Sequence, residues 1–542
     1  MNEIKKKKSI LLIEYIAVFL LFLIMYFFVL PQLDVFFFAR GTDGSIADTI
    51  NYSLGYGNGR LLGNIIGVFF SYHFKFASLI IALFLTLLVV LINHIIADSR
   101  TYTVFPIAVL IMFPSADLIR DCYNFFPAFC NYVIPLVCML FAYIIQTKII
   151  KTESIKKGIK AVLYAVMFLL LAGGCLFSEN TTIVIACAVV LIGIKNYIQN
   201  KKIALADVIS FVAVALGSLA ILLIPKIAGT AYKMSGYRST LTGLGGFGKM
   251  IKCIFGGLSN FSSVFSHCIF LLFLMSFAFL LVIKAQKKGK KTLNDICLSV
   301  IMFYPVACVA IQAVDSTVEI DWLELVNLGI TAVYALAILY TVVMIENPKI
   351  RRVSIMACVL ILSSVAPMMI VNVRGARTFY STFILCLVFA IRLIKQFMPP
   401  VLKDKLLKIK NNISAASACT AAVLSILLFM QSVYNYDCYV MRSDYLAQRI
   451  DVEQQVEIPL LPCLDISTEK EGKNRAYLVL DIDVEEYDGK IVNINSWELS
   501  QEYDDKIVSA PFRNALKYAL KNYEFKDPLY PQQLRETYNS ER

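Results

Sequence analysis

Charge is scarce in this chain. Of its 542 residues only 17% are Asp, Glu, Lys or Arg, against roughly 25% in an average soluble domain. Histidine is scarcer, at three residues, and no CxxC pair occurs among the 14 cysteines. A Cys/His zinc site therefore lacks both ligands and spacing. There is no Walker A motif and no nucleotide-binding glycine fingerprint after a strand, which argues against ATP-driven machinery. Basic–aromatic clusters of the kind that hold RNA or DNA are missing outside the apolar runs, so no nucleic-acid partner is expected. The first apolar run, from about Ile10 to Leu30, is too long for a signal-peptide core and has no small-x-small cleavage site after it. It reads as a signal anchor and as the first membrane span.

What is present is hydrocarbon. Apolar residues make up 58% of the chain and the mean hydropathy is +0.69. Runs of about 20 apolar residues, the length one helix needs to cross a bilayer, centre near positions 20, 87, 108, 137, 168, 189, 214, 275, 303, 333, 361, 387 and 422. The pattern predicts an all-α polytopic membrane protein of about 13 transmembrane helices, because unpaired backbone amides are too costly in lipid for any open alternative. The third run is short and leads into a segment expected to be broken or re-entrant. Most cysteines, among them Cys138, Cys175, Cys187, Cys308, Cys358 and Cys386, fall inside these runs and act as small apolar residues. Cys122/Cys130 and Cys438/Cys463 lie outside them and are candidates for external disulfides.

The net charge of +12 is unevenly spread. Tyr434 to Arg542 hold 21 acidic and 13 basic residues, leaving about +20 on the remainder. Two domains are expected: a membrane domain over 1–433 and an extracytoplasmic cap over 434–542. Strand-like "AYLVLDIDV", a turn at Asp488–Gly489 and helix-like "APFRNALKYALKNY" make the cap a small α/β segment. The Lys5–Lys8 run sets the N-terminus in the cytoplasm, and alternation makes 98–101, 147–160, 195–203, 284–292, 346–352 and 392–411 cytoplasmic loops. Each carries the basic residues the positive-inside rule demands, and the C-terminus then lies outside the cell membrane. Loops 31–76, 115–126, 178–181, 226–266, 313–322 and 372–377 fall on the external face and are much poorer in Lys and Arg.

The unusual polar residues gather on that external face. The first loop holds Asp34, Asp43, Asp48, Asn58 and Arg60; "SADLIRDCYNFFPAFCNY" holds Asp117, Arg120, Asp121, Asn131 and Tyr132. "SENTT", taken as the end of the fifth span, supplies Glu179 and Asn180; Lys233, Arg238, Arg374 and Arg377 follow in later loops. Charges at a membrane boundary mark a site by default, although single ones often only snorkel to water. A carboxylate accepts a proton from an attacking hydroxyl, and arginine offers a planar fork to phosphate oxygens. Together they suit transfer from a lipid-phosphate donor. "GYGNGRLLGN" (55–64) is no nucleotide loop, since its glycines run GxGxG without a preceding strand. Gly63 and Gly67 form a GxxxG step suited to close helix packing, while the earlier glycines let the backbone bend to deliver Arg60.

An Asp in the first external loop, "NGR" leading into a span, "FPAFCNY" and a Glu–Asn pair recur in an order that resembles the GT-C class of multispanning glycosyltransferases. The resemblance is to the phage O-antigen glucosyltransferase type and its Gram-positive relatives; "APFRNALKYAL" extends it into the tail. It implies a GT-C-like fold and a hexosyltransferase that moves a sugar from a polyprenyl-phosphate donor to a cell-envelope glycan, polysaccharide or glycolipid. It implies Asp43 as general base or metal-assisted acid, Glu179 as second carboxylate or acceptor-orienting group, and Arg60, Arg374, Arg377, Arg238 and Lys233 around the donor phosphate. Asn58, Asp117, Arg120, Asn131, Tyr132 and Asn180 would contact substrate. Where the family often shows adjacent acidic residues, this chain has "TDG" with one Asp, and Asp34 or Asp48 would have to take the second role. No organic cofactor is implied, and a divalent metal is left open. The competing reading is a transporter or flippase of a lipid-linked or anionic substrate; it predicts internal repeats and mid-membrane charges, which the sequence does not display. An interaction protein with an acidic cap, or a polysaccharide polymerase or ligase, would share the same external face.

Overall fold

The computed structural model describes residues 2–28, 60–72, 76–97, 103–152, 155–227, 247–286, 291–315, 322–369 and 375–448, with short strands beyond. The helices are α1 (Asn2–Met25), α2 (Leu61–Tyr72), α3 (Ala77–Ala97), α4 (Val104–Met112), α5 (Ile134–Lys151), α6 (Lys157–Cys175), α7 (Glu179–Asn200) and α8 (Leu205–Ile227). They continue as α9 (Phe247–Ser266), α10 (Ile269–Ala285), α11 (Lys291–Asp315), α12 (Leu323–Val343), α13 (Pro348–Val365), α14 (Tyr380–Phe397), α15 (Pro400–Lys408) and α16 (Lys410–Gln448). Past Gln448, β1 (Val456–Glu457) pairs antiparallel with β2 (Arg475–Ala476), and β3 (Leu480–Tyr487) with β4 (Lys490–Leu499). The expected helix after Ala510, and with it an α/β cap as a unit, lies outside the described residues.

Eleven helices among the described residues are long and apolar enough to cross a membrane; a twelfth crossing comes from α9 and α10, bent 86° at their junction, if that pair is one span. The chain is a multi-pass membrane protein. Large apolar side chains such as Leu169, Leu222, Phe303 and Leu336 point outward, as a lipid-facing surface requires.

Two expectations change. The third run near 108 is not one unbroken helix: α4 has nine residues, about 14 Å at 1.5 Å per residue, against the ~30 Å of hydrocarbon, and the segment after it carries the chain to the end of the bundle where Asp121 meets Ala376. Pro114 disfavours a helical residue before it, and Phe113 leaves the helix at φ −116, ψ 57. The second concerns 226–266, expected as an external loop, which holds the 20-residue helix α9. Its apolar positions, Ile251, Ile254, Phe255, Leu258, Phe261 and Phe265, repeat with helical period on one stripe.

Between α4 and α5 the chain runs through a broken segment. A short turn at Ala116–Leu118, begun by Ser115 whose side chain accepts the Leu118 N–H, leads into wide π-turns at Ile119–Asn124 and Phe129–Val133. Such turns are uncommon and often accompany function. Cys122 and Cys130 on this segment are both free and buried, so the disulfide considered for them is absent.

The run Phe126–Lys151 is 78% buried and Lys410–Tyr436 only 11%, which makes α5 central and α16 peripheral. α5 packs on α3 and α6, while α14 packs on α10 and α13. In lipid, such packing depends on close backbone approach at small residues. Gly217 on α8 is one: a Cβ there would lie 2.6 Å from the Ala172 carbonyl oxygen and 2.8 Å from Cys175 Cβ on α6. Gly217→Ala is therefore expected to cost about 1–3 kcal/mol, read as a lower thermal midpoint of the purified protein. An unchanged midpoint would show that the two helices part freely.

One end of the bundle is pinned by hydrogen bonds from polar side chains and by a helix-capping lysine. Asp207, buried, accepts from Gln146 and Asn196 side chains, both at 2.8 Å, joining α5, α7 and α8. Lys395 of α14 donates to the Ile96 carbonyl at 2.7 Å near the end of α3, where a cation suits the helix dipole. The opposite ends of α7 and α14 carry the charged groups described next.

Candidate functional site around the broken segment

The charged groups meet where α2, α7 and the 375–379 turn close on residues 116–133. Leu62 N–H donates to the Leu176 carbonyl at 3.1 Å, tying the start of α2 to the α6–α7 connection. Gly63 sits against the Asn131 side chain and the Phe177 carbonyl, leaving no space for a Cβ. Phe70 packs on Phe126 at 5.6 Å. Below the segment, Tyr26, Tyr123 and Tyr380 stack edge-on in the core, and the Tyr123 hydroxyl donates to the Ile111 carbonyl at 3.1 Å.

Three arginines distinguish themselves by their partners. Arg60 Nε bonds Glu179 Oε2 at 3.0 Å across 119 residues of chain. Glu179 is the first residue of α7 and follows the extended Ser178. It is thus at the positive end of a helix dipole and not at the close of the preceding span, which ends at Cys175. Arg120 bridges Asp117 (2.9 Å) and Asp121 (3.0 Å). Burial pulls the Arg120 guanidinium down, but Asp121 and then Asp117 outweigh it and hold its pKa above the usual value. Arg377 pairs with no carboxylate among the described residues; its guanidinium lies 5.2 Å over the Phe125 ring.

Asp121 also accepts the Ala376 backbone N–H at 3.1 Å, which fixes the turn bearing Arg377 to the broken segment. Cys122, whose thiol contacts the Arg377 carbonyl, is pushed well above the ordinary thiol range by burial; it stays protonated and is no nucleophile. Asn131 donates to the Pro127 carbonyl at 2.8 Å, while its own carbonyl oxygen has no partner among the described residues. Tyr132 and Asn180 are buried beside it in sequence and at the start of α7.

Of the residues expected at the site, Glu179, Arg60, Asp117, Arg120, Arg377, Asn131, Tyr132 and Asn180 fall on this end of the bundle. Asp43, Asn58, Lys233, Arg238 and Arg374 lie outside the described residues. Sequence reading missed His267, at the α9–α10 bend, whose Nδ1 lies 3.5 Å from Asp117 Oδ2; a lone histidine in an apolar setting carries no motif. Among the described residues no three His, Cys, Asp or Glu side chains converge as metal ligands.

The Arg60–Glu179 pair is half-buried, with 21% and 34% of the two side chains exposed, so its coupling is modest. A double-mutant cycle with Arg60→Ala and Glu179→Ala is expected to give about 0.5–1 kcal/mol in thermal stability. Strict additivity of the two single changes would show that the pair does not hold α2 to α7.

Comparison of this chain with protein-family models, with curated proteins and with solved structures gives no match.

Proposed function

We propose that this multi-pass protein is a GT-C-type hexosyltransferase of the cell membrane. On this reading its N-terminus is cytoplasmic, its C-terminus extracytoplasmic, and its charged end faces outward. It moves a sugar from a polyprenyl-phosphate donor to an envelope glycan or glycolipid. The observation that carries the proposal is the contrast among the arginines. Arg60 and Arg120 are neutralised by carboxylates, whereas Arg377 makes no ion pair with a carboxylate among the described residues and lies over the Phe125 ring. A guanidinium without an ion-pair partner among the described residues, at the membrane-boundary end of the bundle, suits a lipid phosphate.

In that role the acceptor oxygen attacks the sugar's anomeric carbon, the carbon–oxygen bond to phosphate breaks, and Arg377 stabilises the charge that grows on the leaving phosphate. Arg60 and Glu179 pair at the same end of the bundle, and Arg374, Arg238 and Lys233, outside the described residues, are assigned to the donor phosphate by family resemblance alone. A flippase would instead carry charges near mid-membrane; the ion pairs here gather at one end of the helices. The test is analysis of envelope glycans from cells with and without the chain. A side-branch sugar missing only in its absence supports the proposal, and identical glycans together with transport of a lipid-linked substrate by the reconstituted protein replace it with the transporter.

A further inference from the structure

We infer that His267 and Asp117 form the acid–base pair of this site, with His267 Nε2 taking the proton from the acceptor hydroxyl; the inference rests on the sugar-transfer reading above. His267 stands in the two-residue break between α9 and α10, where the chain turns by 86°. The bend places its ring over the broken segment, with Nδ1 3.5 Å from Asp117 Oδ2. The other Asp117 oxygen is held by Arg120 at 2.9 Å, so the carboxylate is fixed in place. Nδ1 is buried without a hydrogen-bond partner among the described residues, yet the side chain is 38% exposed. The exposure therefore belongs to the rest of the ring, and Nε2 is not among the buried unpartnered atoms. One ring nitrogen faces a fixed carboxylate and the other faces out.

That arrangement is what a general base needs. A carboxylate at Nδ1 selects the tautomer with its proton there, leaves the lone pair on Nε2, and stabilises the imidazolium that forms. The 3.5 Å separation lacks hydrogen-bond geometry, as is common before substrate closes a site. In the step, the acceptor oxygen forms its bond to the anomeric carbon as that carbon's bond to the phosphate oxygen breaks. The electron pair leaves with the phosphate beside Arg377, the hydroxyl proton passes to His267 Nε2, and water later removes it. The charged and titratable groups on the elements that adjoin the bend are Asp117, Arg120 and Asp121 on the broken segment, Arg377 on the 375–379 turn, Glu324 at the start of α12, and Cys268 in the break itself. Of these only Asp117 reaches the ring among the ion pairs of the described residues.

Two measurements test this. The first uses protein labelled with ¹⁵N-histidine in lipid nanodiscs; the chain has three histidines, so His267 is assigned by the signal lost in His267→Gln. A ring carrying its proton at Nδ1, shifting toward Nε2 in Asp117→Ala, is expected. An Nε2-protonated parental ring, or no response to Asp117→Ala, overturns the pairing. The second follows transfer from radiolabelled polyprenyl phosphoglucose to envelopes of cells lacking the chain. His267→Gln is expected to lower kcat by about 100-fold or more, with the donor KM within about threefold, the rising limb of the pH profile lost, and added imidazole restoring part of the rate in His267→Gly. Asp43→Asn, the base that family resemblance implies, keeps that limb. A His267→Gln enzyme with parental rate and profile, or loss of the limb in Asp43→Asn alone, overturns the role. A parental protein that binds but never turns over the donor overturns the sugar-transfer reading instead, and the tautomer measurement then decides the pair by itself.

Discussion

Arg377→Ala is expected to lower sugar transfer by about 100- to 1,000-fold, the usual cost of removing one group that stabilises charge on a leaving oxygen. The size follows from its surroundings. No carboxylate among the described residues forms an ion pair with Arg377, which leaves its fork open to an anion. The Phe125 face keeps the fork oriented before the anion arrives, which avoids reorganisation during the step. Arg377→Lys keeps the charge but loses the fork and the stacking, and is expected to fall between the two. The change should alter stability by less than about 1 kcal/mol, because no ion pair is broken. Transfer at the parental rate by purified Arg377→Ala would remove Arg377 from the phosphate site.

Arg120→Ala should act on the fold first. It leaves Asp117 and Asp121, two carboxylates on adjoining turns, with their shared cation gone. Asp121 also holds the Ala376 N–H, so repulsion between the acids pushes on the turn that carries Arg377. The side chains keep 17–32% exposure, and the loss is therefore set at about 2–3 kcal/mol, below the 3–5 of a fully buried pair. It is measured as a fall in thermal midpoint. Adding Asp117→Asn to Arg120→Ala should recover part of that fall, since one of the opposed charges is then gone. Equal midpoints for the two variants would show that the acids do not feel each other.

The spans were legible because a run of about 20 apolar residues has few other uses, and a helix is the only open-ended way to satisfy its backbone. Where a polar residue cut a run, legibility failed. Around 108 the apolar window was filled only by counting across Pro114, and the helix there stops at Met112, leaving the broken segment to carry the chain on to the charged end. The stripe from Ile251 to Phe265 was visible at period 3.6, but sorting by mean apolarity hid it among glycine and serine. The site was legible as a set of residue types on one face and not as a geometry. Nothing local in the sequence says that Arg60 chooses Glu179, that Arg120 chooses two aspartates, or that Arg377 is left over. Those choices depend on which helix ends the bundle brings together. His267 needed the bend between α9 and α10, which no short-range signal announces.

The shortness of α10 has a consequence for the bilayer itself. At 17 residues it is about 25 Å long, some 5 Å under the ~30 Å hydrocarbon thickness of an average membrane. It presents Phe270, Phe273 and Phe277 outward, so acyl chains lie directly against it. Beside it, Phe270 meets Phe113 at 4.5 Å, just past the end of nine-residue α4. Lipids along this flank must tilt or compress to match, at a fraction of a kcal/mol per Å. A locally thinner bilayer is therefore expected on the side where α10 turns into α9, with headgroups drawn toward the shorter helix.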